Sequence, residues 1–182
     1  MNEFENLTET TLKENTVFDG IVVKLNVDDV LLPNGKKDTR ERIVHPGGVG
    51  IIAITDDNDI LMVRQYRYGV QKLLLEIPAG KLEYGEEPLE CGKRELLEET
   101  GYIAESYTYL GGFCPTPAYC GEITHIYLAQ NLSFKGQKLD KDEFLQVEKV
   151  SLEKAVKLAL ENKLEDGKTQ IAVLKTKLLL NK

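Results

Sequence analysis

The stretch Gly80-Lys-Leu-Glu-Tyr-Gly-Glu86-Glu-Pro-Leu-Glu-Cys-Gly-Lys-Arg94-Glu95-Leu-Leu-Glu98-Glu99-Thr-Gly101 concentrates the residues most able to do chemistry. Pro88 suits the first helical position, where a missing N–H leaves no bond unmade, and Gly101 suits the left-handed position just past a helix end. The spacing therefore predicts a helix over 88–100. At about 100° per residue, Glu95, Glu98 and Glu99 fall within an arc of roughly 100° on it. Leu89, Leu96 and Leu97 lie on other faces, so one side can be buried while the glutamates are presented from another.

Two readings of that acidic arc stand side by side: a solvated face and a metal site. Like charges at i,i+4, as Glu95 and Glu99 are, cost about 0.2–0.5 kcal/mol. Anions in the last turn oppose the helix dipole by about 0.3–1 kcal/mol. A helix selected only for stability would carry Lys or Arg there. A hard divalent cation with oxygen ligands, such as Mg²⁺, accounts for both.

The elements around this helix read as follows. Residues 16–27 alternate as a strand, Pro33-Asn-Gly-Lys is a turn, and Thr39 to Val44 returns to complete a hairpin. Val49 to Thr55 is a buried strand, the Asp56-Asp-Asn-Asp turn leads to a partner at 60–66, and Leu73 to Ile77 is a short strand ended by Pro78. Strands are expected at 107–113, 123–129 and 144–150, with a polar loop over 133–142. Ser151 caps a helix running to about Asn162, and an amphipathic helix closes the chain over 168–180. Strands fill the first two thirds and helices are inserted late, an α+β pattern with a mixed sheet.

At 182 residues and 42% hydrophobic content the chain can bury a sizeable core. A net charge of −7 argues against nucleic acid or an anionic membrane as partner, though not against an anionic small molecule met by local Arg residues or a metal. Cys91, Cys114 and Cys120 lack CxxC spacing and read as reduced thiols of a cytoplasmic protein. The polar, acidic N-terminus does not read as a signal peptide.

The segment from Gly80 also resembles the Nudix box: Gly, five residues, Glu, seven residues, then Arg-Glu-hydrophobic-any-Glu-Glu-any-Gly-hydrophobic. Every fixed position from Gly80 to Gly101 matches, and Tyr102 stands where an aliphatic residue is usual. The resemblance implies a Nudix fold, an α/β/α sandwich with a mixed sheet, and Mg²⁺-dependent pyrophosphate hydrolysis with Mn²⁺ as the alternative ion. It implies Glu95 and Glu99 as the main metal ligands, Glu98 as a further one, the Ala79 carbonyl as another, and Arg94 as the residue that holds the cluster in place.

Outside the box, His45-Pro-Gly-Gly, Val63-Arg-Gln-Tyr-Arg67-Tyr, Leu75-Glu76-Ile-Pro-Ala-Gly80 and Gly121-Glu122-Ile-Thr-His resemble the ADP-ribose pyrophosphatase branch, as does Pro117 beyond the box. The resemblance spans roughly 16–180. It implies ADP-ribose, or a similar nucleoside diphosphate sugar such as GDP-mannose, as substrate. A guanidinium matches phosphate oxygens in a bidentate way, which favours Arg67 as a diphosphate contact. By resemblance Arg40 is a second candidate, Glu76 a substrate contact and Glu122 a metal or substrate residue. Arg64 is as readily a strand-edge salt bridge, His45 a turn residue and His125 a core histidine.

The attacking water needs a base. In this branch it is a glutamate on the mobile loop before the 144–150 strand, which points to Glu143, with Asp142 and Glu98 as substitutes. The chain is expected to divide into a hairpin segment at 1–44 and a catalytic domain at 45–182. The first is too small to bury its own apolar face, and in the resembling family it packs against a second subunit. A homodimer follows, with Phe18 of the other chain in the adenine site. The competing class is a non-catalytic ADP-ribose-binding module, against which the intact Glu95, Glu98 and Glu99 argue; a purely structural domain would not respond to Mg²⁺ at all.

Overall fold

The computed structural model describes residues 7–139, 141 and 144–180. Contacts divide the chain into two units, one of Met1–Pro46 with Thr116–Glu122, the other of Gly47–Pro115 with Ile123–Lys182.

In the first unit the expected single strand at 16–27 is two antiparallel strands, Thr16–Asp19 and Lys24–Leu31, with a reversal between them. β1 (Thr10–Lys13) and β2 (Thr16–Asp19) run in succession along one edge of β3 (Lys24–Leu31), and β4 (Lys37–Val44) pairs with its other edge, all antiparallel. Gly20 makes the reversal, its N–H donating to the Val23 carbonyl at 2.9 Å. The break between β1 and β2 falls at Asn15, which turns to β3 instead: its backbone N–H meets Asp28 and its side-chain amide meets Val27 and Asp29. Burial of Asp28 works to raise its carboxyl, but the Arg42 guanidinium at 2.9 Å and the Asn15 N–H hold it below the ordinary range. The segment 116–122 closes on β4 through Ile43, whose N–H meets Tyr119 and whose carbonyl accepts from Gly121.

The second unit is a mixed sheet of order β11-β6-β5-β10-β9. It comprises β5 (Gly48–Ile54), β6 (Asp59–Arg67), β9 (Tyr102–Phe113), β10 (Thr124–Phe134) and β11 (Leu145–Ser151), with β10 parallel to β5 and the other pairs antiparallel. β5 and β6 pair only at Ala53↔Leu61 and Ile54↔Ile60, then splay apart. The gap admits β7 (Lys72–Glu76) on β6 and β8 (Ala79–Lys81) on β5, joined through Pro78, whose carbonyl accepts the Ile51 N–H at 2.8 Å. That wedge carries the start of the box into the middle of the sheet.

β5 is buried along its whole length because both faces are covered. Val49, Ile51 and Ala53 pack with Leu82, Cys91 and Leu96 beneath α1 (Pro88–Thr100). Ile52 and Ile54 pack with Leu152, Ala155 and Val173 beneath α2 (Leu152–Leu160) and α3 (Gly167–Leu180). Each such isoleucine contributes about 1.5–3 kcal/mol, so this strand is the axis of the α/β/α sandwich. Gly92 is the contact point of α1 with it: a Cβ there would sit 2.4 Å from Ile51 Cδ1. The helix boundaries follow the sequence signals, with Pro88 at the start and Gly101 left-handed at φ 78°. Ser151 accepts from the Lys154 N–H as the cap of α2. The buried stripe of α3 is Thr169, Ala172, Val173 and Thr176 rather than its leucines, for Leu178 is exposed.

Candidate active site

α1 lies across β8 so that the glutamates of its last turns meet Ala79 and Gly80. Glu99 is 2% exposed, and its carboxylate accepts the Ala79 N–H at 3.0 Å. Glu95 lies directly on Gly80, where a Cβ would stand 1.9 Å from its Oε1. The glycine that opens the box is thus a cradle for a carboxylate, a requirement of contact rather than of backbone angle.

Arg94 gathers the remaining charges. Its Nη1 donates to Glu95 at 2.7 Å and to Glu98 at 3.2 Å, and Nε reaches Glu86 at 3.3 Å. Although partial burial disfavours its charge, the carboxylates of Glu86 and Glu95 raise the guanidinium above its ordinary value. Glu86 accepts the Glu83 N–H at 2.9 Å, and this bond, with Arg94, lowers its carboxyl. Burial pushes the neighbouring Cys91 thiol up to about 12; it is no nucleophile.

Among the described residues no three His, Cys, Asp or Glu side chains stand converged at metal-ligand spacing, since Glu95 is turned onto Arg94 and Glu99 onto Ala79. The donor set nevertheless fits a hard cation. Glu95, Glu98 and the half-buried Ala79 supply oxygens around one helix end, and the positive group now bridging Glu95 and Glu98 is a guanidinium.

Next to this cluster the strand end is held by a buried ionic network. Glu76 is 1% exposed and takes Arg67 in a fork, Nε at 2.8 Å and Nη2 at 2.9 Å, together with Lys168 of α3. Burial alone would raise the Glu76 carboxyl; the two cations hold it below the ordinary range. Arg67 is raised chiefly by Glu76, and Glu99 and Asp166 add to the negative field on it. Asp166 caps α3 by accepting the Thr169 N–H at 2.9 Å, and Thr169 Oγ1 accepts the Ile77 N–H at 2.9 Å. These bonds tie α3 to the two residues before Pro78-Ala79.

Glu76→Gln is expected to destabilise the fold by about 2 kcal/mol at neutral pH, less than a fully buried pair because Arg67 remains 40% exposed. Because the folded carboxyl is depressed, its contribution is full above the unfolded-state value and is lost as pH falls through the folded one. The gap between wild type and variant in urea denaturation should therefore close on acidification; a gap independent of pH would refute it.

A model of the NUDIX domain matches residues 44–171, well over half of the chain. This chain belongs to the Nudix family. Over 171 residues it is 45% identical to an ADP-ribose pyrophosphatase of Bacillus subtilis (strain 168), covering 93% of this chain and 92% of that protein. It is 48% identical over 167 residues to a methanol dehydrogenase activator of Bacillus methanolicus, covering 91% and 90%. A crystal structure of an ADP compounds hydrolase matches with a TM-score of 0.84 and 26% identity over 96% of each chain. The Nudix sandwich expected from the box is the observed fold, and the chain is a Nudix hydrolase.

The other sequence candidates are placed more variously on this Nudix framework. Glu76 is enclosed by Arg67 and Lys168 rather than open to a ligand. Arg40 stands on β4 with its guanidinium held by Glu9 at 2.6 Å and Asp38 at 3.1 Å. Phe18 is 57% exposed on β2, its ring folded over Gly20. Arg64 makes the strand-edge bridge, to Glu148 on β11. His125 is half-buried rather than in the core, with Nδ1 3.0 Å from the Tyr109 hydroxyl. Glu122 is half-buried in the first unit. Glu143 and Asp142 lie outside the described residues.

Sequence reasoning missed Lys168, Asp166 and Thr169. Asp166-Gly-Lys-Thr169 does carry a cap pattern, an Asp three residues before Thr, but nothing local tells that it faces Glu76.

Proposed function

We propose that the protein hydrolyses the diphosphate of ADP-ribose with Mg²⁺, giving AMP and ribose 5-phosphate. The observation that carries the reading is the placement of Glu99 on the Ala79 N–H and of Glu95 on Gly80, with Arg94 joining Glu95 to Glu98. The 45% identity to an ADP-ribose pyrophosphatase over nearly the whole chain supports the substrate.

Bound there, Mg²⁺ would neutralise the diphosphate and polarise phosphorus. The chain's own residues do the rest. Arg94 fixes Glu95 and Glu98 so that the helix end is formed before ligand arrives. Glu76 aims Arg67 by its Nε and Nη2, and the Arg67 side chain, 40% exposed, keeps Nη1 for a phosphate oxygen. A carboxylate, assigned to Glu143, takes a proton from the attacking water as the water oxygen bonds to one phosphorus and that phosphorus loses its bond to the bridging oxygen, which leaves on the other phosphate. A screen with Mg²⁺ across ADP-ribose, GDP-mannose, NADH and dinucleoside polyphosphates tests the reading. ADP-ribose should give the highest kcat/KM. A higher value for GDP-mannose would reassign the substrate, and binding of ADP-ribose without turnover would make the protein a binding module.

The likeness to a methanol dehydrogenase activator supports a second reading, in which the same hydrolytic site regulates a dehydrogenase. Stimulation of such a dehydrogenase that disappears with Glu99→Gln would establish it.

The first unit exposes Val17, Phe18, Ile21, Val22 and Val23, with Ile21 99% exposed at the β2–β3 turn. Exposed apolar side chains gathered in one short stretch of chain support the homodimer, with Phe18 reaching the partner's adenine site. Sedimentation at micromolar concentration should show two chains, and Ile21→Asp with Val22→Asp should shift the protein toward monomer. A fully active monomeric wild type would refute it.

A further inference from the structure

The last turn of α1 contains no basic residue although Glu98 and Glu99 stand in it, so the negative helix end must be met by other donors. They come from the segment just after β10. Lys138 N–H donates to the Glu98 carbonyl at 3.2 Å, and Lys135 and Gly136 N–H donate to the Gly101 carbonyl at 2.7 and 3.2 Å. The Gln137 side-chain amide donates to the Glu99 carbonyl at 2.5 Å. The two segments are brought together by strand register: Phe134 pairs with Tyr102, and their rings meet edge-on at 5.1 Å. Gly101 is required for more than its φ of 78°, because a Cβ there would stand 2.6 Å from the Gln137 nitrogen and 2.8 Å from the Gly136 carbon.

We infer that Gln137 is a positioning residue for the metal site, fixing the backbone of Glu99 from outside the Nudix box. The inference rests on the reading that Glu95, Glu98 and Glu99 bind the metal. Of the donors on this helix end among the described residues, Gln137 acts through its side chain, and its acceptor is the carbonyl of a glutamate in the ligand set. Losing that donor has two opposed effects. One donor fewer makes the helix end slightly more negative, which favours a cation, while the freed backbone loosens the Glu99 carboxylate from the Ala79 N–H. Mg²⁺ demands near-ideal octahedral geometry, and loss of outer partners of ligands weakens metal binding about 10–100-fold, so positioning wins.

The test is calorimetric titration of Mn²⁺ into the substrate-free protein, with kcat and KM for ADP-ribose measured beside it. Gln137→Met removes the donor at similar length, and Gln137→Glu replaces it with an acceptor at neutral pH. Both should weaken Mn²⁺ about tenfold and lower kcat with KM little changed. Tm without metal should shift by no more than about 2–4 °C, the effect of losing one part-buried hydrogen bond worth about 1 kcal/mol in a chain of this size. A merely structural role would lower Tm and leave the Mn²⁺ affinity alone, and affinities within twofold of wild type for both variants would overturn the inference. Glu99→Gln, titrated in parallel, separates the two failures. If it too binds Mn²⁺ normally, the metal reading has failed; if it loses the ion while both Gln137 variants keep it, only the role of Gln137 has.

Discussion

Glu99→Gln is expected to remove Mg²⁺-dependent hydrolysis almost completely, by about 10³-fold or more at saturating Mg²⁺, with Glu95→Gln close behind. The reason is geometric as well as electrostatic. Glu99 is buried against the Ala79 N–H and Glu95 is pressed on Gly80, so neighbouring carboxylates have no room to replace either. Sequence spacing alone predicts that each variant gains stability without metal, through relief of a like-charge pair worth about 0.2–0.5 kcal/mol. The structure opposes that gain at both positions. A glutamine at 99 can keep the Ala79 bond only by presenting its amide oxygen, and a glutamine at 95 weakens the 2.7 Å contact with Arg94. Metal-free stability should therefore change little in either direction, while the rise in Tm on adding Mg²⁺ should vanish. Rates against Mg²⁺ concentration and melting with and without the ion measure both effects. An unchanged rate for Glu99→Gln at saturating Mg²⁺ would remove it from the ligand set.

What the sequence made legible divides along a physical line. Local signals were sufficient where one segment carries the whole cause: Pro88 and Gly101 bound α1, Ser151 begins α2, and the uniformly apolar β5 announces a strand covered on both faces. The acidic arc was legible because its charges contradict the stability of their own helix. The split of 16–27 into β2 and β3 was not, because its alternation runs on through the Gly20 reversal, and β1 is set off from β2 only where Asn15 turns to partners in β3. Nor was the enclosure of Glu76 by Lys168, ninety-two residues along the chain. The pairing depends on where α3 lands on the sheet, and a glutamate beside a proline gives the same sequence signal whether it meets substrate or a lysine. Arg67 shows the complementary case. Its residue type suggested anion binding, yet the structure adds the carboxylate that aims it and the Glu99 field that reaches it.

Glu143→Gln is expected to lower kcat by about 10²–10⁴-fold with KM for ADP-ribose little changed, as for an interaction made chiefly in the transition state. The assignment comes from the sequence, because Glu143 and Asp142 lie outside the described residues. The described structure narrows the alternatives on the other side. Glu95 and Glu99 are committed to Gly80 and Ala79, and Glu98 is the most exposed of the three at 37%, its carboxylate meeting Arg94 at 3.2 Å. Glu98 is therefore the box carboxylate best placed to substitute as a base. Ligand and base differ in what their loss does: a lost ligand weakens metal dependence and rate together, a lost base leaves metal affinity intact. Glu143→Gln should thus bind Mn²⁺ as wild type does and fail in turnover, and Asp142→Asn should lose far less. If the two variants exchange behaviour, the base is Asp142. If neither falls by more than about tenfold while Glu98→Gln falls steeply with normal Mn²⁺ affinity, proton removal belongs to Glu98.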